Sequence, residues 1–268
     1  MMVTTIGDVL IDVIVRLHEE LVPSDDAAAT SRFEPGGQAA NVAAWAAALG
    51  AEARFVGRRV DDPAGLLAKR KLDALGVDVR GPVGEGRTGI VVSLVNQEGG
   101  RTMASDRGVS PELSVDDLDD DWFACDWLHV PAYSLAREPL ATATAHAVAA
   151  ARARGARVSL DLSSWTILGG IERHAIARLE PDVVFATEGE WMSYREVVPE
   201  AVVKAGAKGF SVVRGDISHS YKAAPVEVVD TTGAGDALAA GYLVGGPQLA
   251  VEAAARCVAK VGAMPEAP

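Results

Sequence analysis

Short runs of Val, Ile and Leu alternate along the chain with longer stretches rich in Ala. The first kind suits a strand buried on both faces, and the second suits a helix whose small side chains lie against a sheet. A first strand is expected at Val3 to Val15. Helices are expected at Gln38 to Leu49, stopped by Gly50, and at Pro63 to Leu75, stopped by Gly76. Later strands are expected at Trp127 to Val130, Arg157 to Leu162, Asp182 to Ala186 and Phe210 to Arg214, separated by helices such as Glu138 to Ala153. A strand at Pro225 to Val229 and a buried helix at Ala237 to Gly245 follow. Such alternation builds a mostly parallel central sheet with helices on both faces, here as one α/β domain over residues 1–268.

Two segments break the rhythm. Leu17 to Pro35 is too polar for a core helix, and Thr88 to Met103 reads as two strands joined by Asn96 to Gly100, a glycine-containing hairpin. Together they predict a small β lid from about 13–36 and 86–107, outside the main layer. A lid beside the carboxyl ends of a parallel sheet excludes water from a reaction centre.

Hydrophobic residues make up 49% of the sequence and aromatics only 5%, so aliphatic side chains must fill the layers. The charge of −12 argues against general affinity for nucleic acid or anionic membranes, and means that a small anionic ligand needs local positive charge. The two cysteines, Cys125 and Cys257, lie far apart without metal-ligand spacing, which suits a reducing cytoplasm. The apolar start of the chain is interrupted by Asp8 and Asp12 and reads as a core strand rather than a signal peptide. No run is long and apolar enough for a transmembrane span.

The densest chemistry lies in DTTGAGD, Asp230 to Asp236. Gly233, Ala234 and Gly235 are expected at a helix N-terminus, where unpaired amides and the macrodipole attract anions. Asp236 repels such an anion unless it takes a proton from an attacking hydroxyl, which suits phosphoryl transfer. A helix cap and a glycine turn are the plain alternative. No Lys follows the second Gly, so something else must neutralise the transferred group, and a metal ion is implied. A second glycine motif, GGQAANVA from Gly36 to Ala43, lets a ligand approach the backbone, with Asn41 offering a donor and an acceptor.

With both motifs in view, the chain resembles the ribokinase family, the PfkB-type carbohydrate kinases. GGQAANVA is similar to that family's N-terminal signature and DTTGAGDALAAGYL, Asp230 to Leu243, to its C-terminal one. The resemblance implies a three-layer, Rossmann-like ribokinase fold and ATP-dependent phosphorylation of a hydroxyl on a sugar or sugar-like molecule. Asp236 resembles the catalytic base, and the amides of Gly233, Ala234 and Gly235 resemble the anion hole. Asp12, Gly36, Gly37 and Asn41 take the places of the sugar pocket, and Thr232, Gly233, Gly235, Arg214 and Gly215 those on the nucleotide side. The stretch Ala250 to Gly262 is expected as one wall of the adenine pocket.

Some elements depart from the family pattern. Thr187 replaces an Asn in Ala186 to Trp191, where Glu190 resembles the acid that places Mg²⁺ through water. Val60 and Ser110 replace usual residues, and Arg214 to Ser220 lacks the second glycine of a nucleotide-side loop. Asp230 and Thr232 match positions where relatives bind a monovalent cation, so K⁺ activation is an expectation. Arg107, with Arg101, is expected to select an acidic sugar or touch a phosphate through its paired donors. The runs Ile90 to Val95 suggest a homodimer through the lid. The alternatives are a nucleoside kinase of the same family and a sugar- or nucleotide-sensing protein without turnover. A dinucleotide-dependent oxidoreductase would need a glycine fingerprint after the first strand, where only Gly7 stands.

Overall fold

The expected first strand is two strands, and the break between them organises the molecule. In a computed structural model that describes residues 1–98, 100–164, 176–194 and 196–267, β1 is Met2–Ile6 and β2 is Leu10–Leu17. The apolar run is continuous in composition, but residues 7–9 turn the chain out of one sheet and into another. Asp8 is left at the carboxyl end of β1, and Asp12 is carried into β2.

The remaining strands of the main sheet are β4 (Glu52–Val56), β5 (Asp78–Arg80), β8 (Trp127–Pro131), β9 (Arg157–Asp161), β10 (Val183–Thr187), β11 (Ala201–Lys204), β12 (Phe210–Arg214) and β13 (Ile217–Tyr221). Its order is β13-β12-β11-β10-β9-β8-β1-β4-β5. Strands from β11 to β5 are parallel, whereas β12 and β13 add an antiparallel hairpin at one edge. Every residue of β8 is buried, as a central parallel strand requires.

Helices cover both faces. Helices α1 (Gln38–Ala48), α2 (Pro63–Ala74) and α5 (Ala234–Val258) contribute to one apolar layer that includes Trp45, Leu72, Leu243 and the sheet residue Phe55. Helices α3 (Leu140–Ala153) and α4 (Glu188–Tyr194) contribute to a second with Phe123, Leu128 and Leu160. Helix α5 runs well past the expected Gly245 and is interrupted at Gly246, φ 79°, where Pro247 removes a helical donor. Pro225 to Val229 is not a strand. The sheet ends at β13, and Val226 and Val228 lie exposed without a ladder partner.

The irregular segments form a separate four-stranded sheet, ordered β3-β2-β6-β7, from β2, β3 (Ala29–Gly36), β6 (Thr88–Val95) and β7 (Arg101–Gly108). The expected hairpin is present: Asn96 N–H donates to the Gly100 carbonyl at 2.9 Å. Gly99 lies outside the described residues. Register places Asp12 beside Glu34 and Val91, so Asp12, Ile14 and Arg16 share a face with Val91, Ser93 and Val95. Arg101 and Ser105 of β7 join that face opposite Val95 and Val91. The expected apolar surface of Ile90 to Val95 is therefore divided: Val91 and Val95 are buried, while Ile90 is exposed on the other face with Phe33. Among the described residues no helix is long and apolar enough to cross a membrane.

Candidate active site

The glycine motif forms the start of α5. Asp230 Oδ1 accepts from the Thr232 amide at 2.9 Å and its hydroxyl at 2.6 Å, which turns the chain into the helix. Gly233 caps the helix in the left-handed region, φ 75°, and a Cβ there would stand 2.6 Å from Ala263 Cβ, so glycine is required. Of the three expected anion-hole amides, Ala234 N–H turns to the Thr231 carbonyl at 3.3 Å. Gly233, Gly235 and Asp236 keep amides with no backbone partner among the described residues, at the positive end of α5.

Asp236, in the first turn of α5, meets the first turn of α1. Asn41 Nδ2 donates to Asp236 Oδ2 at 2.7 Å. Asn41 Oδ1 is buried with no partner, an acceptor pointing to a missing donor. Burial pushes the Asp236 carboxyl up to about 7; the Asn41 hydrogen bond opposes this, and the Asp161 charge adds to it. A carboxyl so poised changes protonation state near neutral pH, as a general base must.

Asp12 lies against the entry to α1. A Cβ on Gly36 would stand only 2.2 Å from Asp12 Oδ2, so the glycine makes room for that carboxylate. Gly37 is the N-cap residue of α1. Burial, then the Asp8 charge, raises Asp12 to about 6, against the pull of Arg107 and Arg101. The expected acceptor pocket of Asp12, Gly36, Gly37 and Asn41 is thus gathered where β2, β3 and α1 meet.

Two charged residues that pattern reading passed over complete the centre. Lys204, the last residue of β11, donates to Asp161 Oδ2 at 2.7 Å, and Asp161 ends β9 with 1% exposure. A Cβ on Gly235 would lie 3.4 Å from Lys204 Nζ, which puts the ammonium beside the first turn of α5. Burial depresses the Lys204 ammonium, but the Asp161 charge and hydrogen bond outweigh it, aided by Glu190 and Asp236, and its pKa stands above the usual value. The signal was available for Asp161, a charged residue near the end of an expected buried strand, where open α/β sheets bind ligands, but not for Lys204, whose strand was not expected.

Thr187 in place of the usual Asn has a local explanation. Glu190 Oε2 accepts from the Thr187 amide at 2.7 Å, and Thr187 Oγ1 accepts from the Glu190 amide at 3.4 Å, a reciprocal cap that starts α4. One Glu190 oxygen is thereby engaged in structure. Among the described residues no three carboxylates, histidines or cysteines close on a direct metal site.

Two expectations change. Arg214 and Gly215 sit at the wrong end of the sheet for a nucleotide. Antiparallel pairing sets Phe210 opposite Lys204 and Val213 opposite Ala201, so the β12–β13 turn lies about 13 Å from the Lys204 end. There Arg214 pairs with Glu200. The loop at the Lys204 end is Ala205 to Gly209, with Gly206 and Gly209 at positive φ. Asp230 does not present a free carboxylate to a cation: Oδ1 also accepts from Arg101 at 2.7 Å, and Oδ2 from the Gly262 amide at 3.1 Å. Arg107 is paired with Asp8 and lies over the Tyr133 ring, 3.7 Å from its centroid.

A family model described as pfkB family carbohydrate kinase matches residues 1–264. A fructokinase from Escherichia coli is 32% identical over 91% of this chain and 83% of its own length. An ATP-dependent ribose-1-phosphate kinase from Halopiger xanaduensis is 32% identical over 85% of this chain and 80% of its own. The adenosine kinase structure from Sinorhizobium meliloti superposes with a TM-score of 0.86 at 26% identity, covering 98% of this chain and 95% of that one.

Proposed function

Because this chain belongs to the pfkB family of carbohydrate kinases, we propose that it transfers the γ-phosphoryl group of ATP to a hydroxyl of a sugar or sugar-like acceptor, with Asp236 as the base. The observation that carries this reading is the meeting of Asp236 with Asn41 beside free helix amides and the Lys204 ammonium. Acceptor hydroxyls donate to Asp12 and to the unpartnered Asn41 Oδ1. Asp236 removes the proton of the reacting hydroxyl as its oxygen bonds to the γ-phosphorus, and the bridging oxygen leaves with ADP. The amides of Gly233 and Gly235 and the Lys204 ammonium meet the developing charge.

A Mg²⁺ ion carried in with the nucleotide would supply positive charge to the transferring group. Glu190, with one oxygen held by the Thr187 amide, suits contact with that ion through water. Potassium has no place at the Asp230 carboxylate in this reading, since the Arg101 guanidinium already lies there. The adenine lies between the Ala205–Gly209 turn and the stretch Ala250 to Gly262. The small sheet acts as the lid: Arg107 and Arg101 tie it to Asp8 and Asp230, on loops of the main layer. Its other face, with Phe33 and Ile90 exposed, suits pairing with a second copy. Two free cysteines agree with a cytoplasmic protein.

An ADP-release assay over sugars and nucleosides tests the reading directly; binding without turnover across the panel makes the protein a sensor. Asp12→Ala is expected to weaken acceptor binding about 100-fold, from the loss of charge-assisted hydrogen bonds, while ATP affinity changes little. Calorimetric titration of each ligand checks this, and equal losses for both would remove Asp12 from the acceptor pocket.

A further inference from the structure

We propose that the acceptor carries a negatively charged substituent, a carboxylate or a phosphate, gripped by Arg107 and Arg137 in a cavity beside Asp8. This rests on the kinase reading and narrows its substrate class. The cavity has a volume of about 390 Å³ and is lined by Arg107 and Ser105 of the small sheet on one side. Tyr133, Arg137 and Ser164 line it from the main layer.

Three observations point to an anion. Arg137 is exposed at this cavity and makes no ion pair among the described residues, although the chain carries twelve more acidic than basic side chains. Arg107 gives one terminal nitrogen to Asp8, and the rest of its planar fork keeps donors for a second partner. The hydroxyls of Ser105 and Ser164 add neutral donors on the same walls. Two guanidinium groups with hydroxyls converging on one cavity match a carboxylate or phosphate. A neutral polyol is already served by Asp12 and Asn41 and has no use for a second guanidinium.

The geometry also disfavours a nucleoside base here. Among the described residues that line the cavity the aromatic one is Tyr133, and one of its faces is covered by the Arg107 guanidinium at 3.7 Å from the ring centroid. Stacking between aromatic surfaces is thereby closed on that side, while the stacked guanidinium is held rigid for an incoming anion.

The test measures kcat/KM with ATP for aldonic acids, uronic acids and sugar monophosphates against their neutral parents and against nucleosides. The wild type is expected to favour an anionic acceptor over its neutral parent by at least about tenfold, the worth of one charge-assisted contact. The acid and phosphate arms tell which anion it is. Arg137→Gln is expected to lower kcat/KM for the anionic acceptor about tenfold more than for the neutral parent, and to weaken the salt dependence of that difference. A wild type that prefers a neutral sugar or a nucleoside overturns the inference while leaving the kinase reading in place. So does an Arg137→Gln variant that loses equally on both. Thermal shift separates the remaining case: if no acceptor is turned over, stabilisation by anionic sugars that Arg137→Gln abolishes upholds the anion site and sinks the kinase reading, and no stabilisation sinks both.

Discussion

Asp236→Asn is expected to lower turnover by about 10³–10⁴-fold, the loss typical of a positioned general base, with ATP binding retained. Asparagine keeps the shape and can still accept from Asn41 Nδ2, so the change removes basicity rather than geometry. The pH profiles should separate the two proteins. With its carboxyl at about 7, the wild type should gain about tenfold in kcat/KM per pH unit below that value and level off above it, while the residual rate of the variant stays flat. Stability should move the other way. The folded carboxyl holds its proton up to about 7, whereas the unfolded chain releases it near 3.8, so the wild type loses stability as pH rises between those values. The variant has no such proton to lose, and thermal melts should show it more stable by on the order of a few kcal/mol at pH 8, converging with the wild type near pH 4. Near-normal turnover in Asp236→Asn refutes the role assigned to that carboxyl.

Lys204→Met is the second large effect, and it has two parts. Its side chain is 16% exposed and that of its partner Asp161 only 1%, so removing one charge leaves the other buried and unpaired. Breaking such a pair costs about 3–5 kcal/mol, which in a chain of this size lowers Tm by about 10 °C. The double variant Asp161→Asn with Lys204→Met removes both charges and should recover most of that stability. It should not recover turnover: loss of one fixed positive group at the anion hole is expected to cost about 10²–10³-fold in kcat. Melting curves and steady-state kinetics on the three proteins check both parts. If the double variant regains turnover along with stability, Lys204 supports the fold and does not meet the phosphoryl group.

Much of the scaffold was legible because buried parallel strands and Ala-rich helices are written as long, uniform runs. Trp127–Pro131, Arg157–Asp161 and Leu140–Ala153 fall within a residue or two of their expected bounds. The two glycine motifs were legible because helix starts carry local constraints: Gly233 at positive φ, Gly36 against a carboxylate. What was hidden depended on pairing between distant strands. Nothing local in Val3 to Val15 says that it changes sheets after Ile6. Nor does RGD, Arg214 to Asp216, reveal that an antiparallel strand carries it away from the ligand end. Lys204 reads as an ordinary surface lysine until β9 and β11 set it beside Asp161, and Asp230 reads as a free acid until β7 delivers Arg101. Runs such as Pro225 to Val229 mislead for the same reason, since β propensity needs a neighbour to become a ladder.

The bond between Asn41 and Asp236 joins residues 195 positions apart. Contacts of such separation carry a large closure entropy and are reached only after local structure has accumulated. A chain on the ribosome that has released its first two hundred residues holds Asp12, Asn41 and much of the parallel sheet, yet lacks the Asp236 carboxyl proposed as the base. In the proposed reaction, competence therefore waits until α5 has been made and packed against α1, and a chain that lacks α5, however much helix and strand it contains, should transfer no phosphoryl group.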